Sequence, residues 1–162
     1  QRWGWDYMNY KLPFYAVSKA IYNALSKKGQ LEWFDSAVPI EEIEDYFKKQ
    51  TEFAYGIFGA ANADCVANKD MATWDTSITL EVYSNYKGRK VVAQKLEQLL
   101  NYLSSNDGWE LLQKTLNGEG FALISMNVGT MRLNLPIYSD NGVWQSGSTS
   151  VIFRVGQLTE RK

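Results

Sequence analysis

Histidine is absent from this chain, and cysteine occurs once, at Cys65. With one thiol no internal disulfide framework can form, and without imidazole the common zinc-ligand sets cannot be built from this chain alone. Such sparse cysteine use fits a reducing compartment. Neither sign of charge is in excess: 17 Lys and Arg stand against 18 Asp and Glu, a formal net charge of -1. No global field therefore draws the chain to nucleic acid or to an anionic membrane. No apolar run approaches the roughly 20 residues that cross a bilayer, and the aromatic, polar start lacks the layout of a secretory signal.

What the chain has in quantity is rings. Aromatic residues make up 14% of it, with six Trp and ten Tyr. Such side chains bury much area and are enriched at interfaces as well as in cores. At 162 residues, 45% hydrophobic and 22% charged, the composition suits one globular domain with its own core.

Periodicity sketches the elements. Val17, Ala20, Ile21, Ala24 and Leu25 follow helical spacing between Pro13 and Lys28, with Lys27 and Lys28 in the last turn before Gly29. Gln30 to Pro39 has no long period and is expected to be a loop; Ile40 to Lys49 suggests a short, poorly buried helix. Phe53, Tyr55 and Ile57 mark a strand over 51–58, after which the small and polar residues from Ala60 to Ala72 read as a surface loop. Trp74, Thr76, Ile78, Leu80 and Val82 then alternate with polar neighbours as a half-buried strand does. Val92, Leu96, Leu99, Leu100 and Leu103 form one apolar helical stripe, expected to lie on that strand's buried face. Asp107 is the expected cap of a short third helix ending near Asn117 and Gly118. Strands are expected over Phe121–Val128, Thr130–Leu135 and Thr149–Val155, with a turn at Asp140, Asn141 and Gly142. This order predicts an α+β fold, a mainly antiparallel sheet with two main helices packed on one face.

Over residues 73–103, the stretch TWDTSITLEVYSNYKGRKVVAQKLEQLLNYL resembles the core of the tail-completion, or tail-terminator, proteins of long-tailed bacteriophages. AVSKAIYNAL (16–25), FDSAVP (34–39) and TEFAYGIFG (51–59) stand where that family has its first helix, a Val-Pro connection and its first strand. GFALISMNV and STSVIFRV resemble its closing strands. The likeness divides the chain into an aromatic N-terminal arm (1–15), one tail-terminator-like domain (16–156) and a polar tail (157–162). It implies a structural virion protein, made in the host cytoplasm, that forms a ring at the head–tail neck or tail terminus. The implied partners are six, or twelve, copies of itself, other neck and tail proteins, and DNA passing non-specifically near the channel, with no membrane. The family carries no catalysis and no cofactor. The arm, the acidic segment 41–45 and the loop 60–72 depart from the family's usual form.

Other constellations in the chain offer little chemistry. Glu41, Glu42, Glu44 and Asp45 offer paired carboxylates for hydrolysis, but interleaved with Lys48 and Lys49 they describe a solvated helix face. Asp64, Asn68 and Asp70 offer oxygen ligands without the spacing, Gly or terminal Glu of a calcium loop. Cys65 lacks a histidine base, and the glycines at 118, 120, 129, 142 and 147 form no phosphate loop. No catalytic, cofactor or metal site is therefore expected. The candidate site is an interface: Trp3, Trp5, Tyr7, Tyr10 and Phe14, which either staple onto their own domain or anchor in a neighbouring subunit, the second being the reading adopted. The alternative function is a non-catalytic carbohydrate- or protein-binding module using exposed aromatics.

Overall fold

Proline at position 13 precedes the first helix, α1 (Phe14–Ser26), and its carbonyl accepts from the Val17 N–H at 2.9 Å. The computed structural model describes residues 10–26, 31–35, 53–67, 72–140 and 142–158. The buried stripe of α1 is Ala16, Val17, Ala20, Ile21, Ala24 and Leu25, the face that the periodicity predicts. Lys27, Lys28 and the expected helix over 40–49 lie outside the described residues.

Residues 30–39, expected to be a loop, contain a strand, β1 (Glu32–Asp35), parallel to the start of β2 (Ala54–Ala67). Four residues are too few to display a period, and the strand is defined by its partner. Trp33 stands opposite Gly56, where a Cβ would come within 2.5 Å of the indole ring. The glycine leaves room for Trp33 to lie flat on the sheet, stacked on Phe58 with centroids 5.2 Å apart.

Residues 60–67, expected within a surface loop, instead continue β2 and pair antiparallel with β3 (Ala72–Ser84), with a register irregularity between Phe58 and Ala61. The side chains of Ala60–Val66 are largely exposed on both faces, so no alternation of burial is written into them. Backbone pairing holds them in the sheet. β3 behaves as its sequence predicts: Trp74, Thr76, Ile78, Leu80 and Val82 are buried, while the residues between them are half-exposed.

After β3 come α2 (Lys90–Leu103) and α3 (Asn106–Gly118). The cap of α3 is Ser105 rather than Asp107: the Ser105 Oγ accepts from the Gly108 N–H at 3.1 Å. Asp107 sits in the first turn, where a negative charge favours the helix N-terminus. The helix ends at Gly118, and Gly120 then takes φ +86°, a turn conformation that glycine adopts freely.

The two strands expected over 121–135 are one, β4 (Phe121–Leu133), with an irregularity between Val128 and Met131 around Gly129. β5 (Ile137–Ser139) and β6 (Gly142–Gln157) form a hairpin through the predicted turn, and β6 begins seven residues earlier than the expected strand at Thr149. The sheet order is β1-β2-β3-β6-β4, with β5 on β6, antiparallel throughout except β1 with β2.

The fold is therefore α+β, a mainly antiparallel sheet with helices on one face. Val92, Leu96, Leu99 and Leu103 of α2 join Trp74, Ile78, Leu80 and Val82 of β3 in one core with Val151, Phe153 and Val155 of β6. Burying each of the larger aliphatic side chains contributes about 1.5–3 kcal/mol. The tightest approach is at Gly147, where a Cβ would lie 2.9 Å from the Arg132 carbonyl oxygen, Leu96 Cδ1 and Val92 Cγ1. α3 packs on α1 and β4, and the exposed Lys19–Glu119 ion pair, 2.6 Å long, bridges the same junction.

Candidate functional site

The sheet face without helices carries two polar and aromatic groupings. At one end the Arg154 Nε and Nη2 donate to the two Asp75 carboxylate oxygens at 2.8 and 3.0 Å. That bidentate hydrogen bond holds the Asp75 carboxyl below its ordinary range. At the other end Tyr55 stacks between Phe53 and Tyr83, with centroids 5.8 and 5.3 Å away, and meets Phe34 and Trp144 edge-on. Burial, reinforced by Tyr83 and Glu81, pushes the Tyr55 hydroxyl up to about 12. Burial and then Glu81 raise Tyr83 as well. These rings are turned on one another: Tyr55 is buried, and the cluster works as a second, smaller core.

Of the five arm residues singled out from sequence, Trp3, Trp5 and Tyr7 lie outside the described residues. Tyr10 meets the Trp74 ring edge-on, with centroids 6.2 Å apart, yet keeps 56% of its surface exposed. Beside it the Lys11 N–H donates to Gln157 Oε1 at 3.0 Å. Phe14 opens α1 and is also exposed. The Trp74 indole Nε1 is buried with no hydrogen-bond partner among the described residues.

Glu41, Glu42, Glu44, Asp45, Asn68 and Asp70 lie outside the described residues. Asp64 stands on β2 opposite Asp75, and Cys65, a free exposed thiol, stands opposite Trp74. Among the described residues no group of three or more His, Cys, Asp or Glu is placed to hold a metal ion, and no described helix is long and apolar enough to cross a membrane.

The sequence reading did not point to a concentration of exposed apolar residues late in the chain. Of fourteen exposed large hydrophobic residues among those described, seven fall within 124–138: Ile124, Val128, Met131, Leu133, Leu135, Ile137 and Tyr138. They follow edge strand β4 into the β5 hairpin. Met131 and Leu133 also line a groove of about 230 Å³ with Ala93 and Leu96 of α2. Exposed apolar residues concentrated along one stretch in this way fit an interaction surface. The signal was present: Met131, Leu133 and Leu135 alternate with Arg132 and Asn134, a pattern that demands cover on one face, and α2 stops short of providing it. A second hollow of about 300 Å³ lies between α1, β1 and α2, floored by Leu25, Leu31, Trp33 and Leu99 and rimmed by Lys95 and Tyr102.

No protein-family model matches the chain, and no curated protein is significantly similar to it.

Proposed function

We propose that this chain is a structural subunit of a ring at the head–tail neck or tail terminus of a long-tailed bacteriophage particle, where it joins tail to head. The observation that carries the assembly reading is the run of exposed apolar side chains along 124–138, which a solitary subunit would leave in water. The resemblance of residues 73–103 to tail-terminator proteins supplies the setting. On this reading the partners are six or twelve copies of the chain and other neck and tail proteins, and the work is mechanical rather than catalytic, with no cofactor.

The arm belongs to the same reading. Tyr10 rests on Trp74 and the Lys11 N–H donates to Gln157, so the described start of the chain lies against that end of the sheet. Trp3, Trp5, Tyr7, Tyr10 and Phe14 then serve as contacts to an adjacent subunit, each buried ring contributing on the order of 1.5–3 kcal/mol. A closed ring repeats that heterologous contact at every interface.

Electron microscopy and sedimentation of the purified chain test this. Closed rings are expected from the full chain, and folded, poorly assembling monomers from a variant lacking residues 1–12. A full-length monomer that binds a glycan would replace the ring with the binding-module alternative. A truncated chain that is unfolded, or that assembles as well as the full chain, would remove the arm from the interface.

A further inference from the structure

Both lateral edges of the sheet are open among the described residues. β1 pairs only with Tyr55–Phe58 of β2, which leaves the outer edge of Ala61–Ala67 without a strand. On the far side β4 pairs with β6 and has no outer neighbour. Each open stretch holds a single charged side chain, Asp64 on β2 and Arg132 on β4, and both are exposed and outside every ion pair of the described residues. Asp64 shares a row with Asp75, and Arg132 shares one with Ser148 and Glu81, so both lie on the helix-free face. Opposite charge on two open edges, on the same face, is the complementarity that selects a partner edge.

We infer that β4 of one copy pairs with the Ala61–Ala67 stretch of β2 in the next copy, with Arg132 opposite Asp64. The inference rests on the ring reading and names its interface. Direction agrees: β2, β3, β6 and β4 alternate, so β4 runs opposite to β2, and repeating the subunit by rotation makes the new pair antiparallel. Side chains agree as well. In this register Met131 falls opposite Cys65 and Leu133 opposite Ala63 on the helix-bearing face. Long apolar side chains on one edge thus meet small ones on the other.

The offset also suits closure. Asp64 and Arg132 lie on rows that cross β3 at Asp75 and Glu81, six residues apart. At about 3.3 Å per residue the next copy is shifted by about 20 Å along the strands. It is displaced sideways by four strands, β2, β3, β6 and β4, or about 19 Å. The strands then tilt by about 45° from the ring axis, at the upper end of the tilt at which sheets close into barrels.

Charge exchange and cross-linking test the pairing, with sedimentation velocity as the readout of mass and circular dichroism as the check of fold. Asp64→Arg and Arg132→Asp are each expected to shift the full chain from oligomer to monomer, and the doubly exchanged chain to recover the oligomer. Met131→Cys, treated with a mild oxidant, is expected to give a ladder of disulfide-linked multimers through the native Cys65, lost on adding Cys65→Ser. If the full chain assembles but neither the exchange nor the cross-link behaves this way, the edge pairing is wrong and the ring reading stands. A full chain that stays monomeric at every concentration overturns both.

Discussion

Adding a single methyl group at Gly147 tests the packing of α2 on the sheet. The Gly147 Cα faces α2, and an alanine Cβ there would come within 2.9 Å of a backbone oxygen, that of Arg132, and of two core methyls, Leu96 Cδ1 and Val92 Cγ1. The methyls can swing away, but the carbonyl belongs to the β4–β6 ladder, where Leu133 pairs with Gly147 itself. Overpacking of this kind costs about 1–3 kcal/mol. Restricting the unfolded chain returns roughly 0.4–1 kcal/mol, so on central values Gly147→Ala is expected to destabilise by about 1.3 kcal/mol. Leu96→Ala alone empties a buried site and should cost about 2–5 kcal/mol. The double variant is the sharper measurement, since the new methyl fills part of the space that Leu96 vacates. Its cost should fall short of the sum of the single costs by at least about 0.5 kcal/mol, beyond ordinary additivity error. Urea unfolding at one fixed protein concentration reads all three. Strict additivity, or a neutral Gly147→Ala, would mean that α2 does not rest on β6 at this glycine.

Other outcomes follow from single contacts. Ser105→Ala removes the cap of α3 and should cost about 1 kcal/mol in the same assay, with Ser105→Asp restoring most of it. Asp75, held below its usual range chiefly by Arg154, contributes stability that is present above its unfolded pKa and lost as pH falls through the lower folded value. Arg154→Met should therefore flatten the pH dependence of stability below about pH 4, as followed by acid titration of the melting temperature. Tyr55 is raised to about 12, so its share of stability is complete below the ordinary tyrosine value of about 10 and disappears as pH rises through 12. Ultraviolet titration of phenolate should show Tyr55 among the late-ionising tyrosines, together with unfolding, and Tyr55→Phe should reduce that late signal by one phenolate.

The sequence was most legible where one face of an element meets the core and the other meets water. The alternation of β3 and the Val92–Leu103 stripe predict their own burial, and the two do pack together. Legibility fell where burial gives no contrast. Ala61–Val66 is an edge segment largely exposed on both faces, so its strand character comes from pairing with Thr73–Ile78 and not from its own pattern. β1 is too short to show a period, and Gly129 looked like a break in what is one strand with a local irregularity. The start of β6, GVWQSGS, reads as turn-like because its glycine at 147 is small to admit α2. At the candidate interface, the aromatic arm drew attention by composition. The β4 edge escaped it because an alternating strand is first assumed to be covered by its own chain.

The position of β6 has a consequence for how this polypeptide reaches its native state. It is the last described strand in chain order, yet it lies between β3 and β4 and also carries β5. As the chain emerges from a ribosome, the β2–β3 hairpin and the three helices can form locally. β4, however, has no strand neighbour among the described residues, and one edge of β3 has no partner, until residues 142–157 are out of the tunnel. Closure of the sheet thus waits for sequence-distant pairing, the slow kind. During that wait β4, whose outer edge has no partner among the described residues, lacks a strand on either side, a state in which nascent chains aggregate readily.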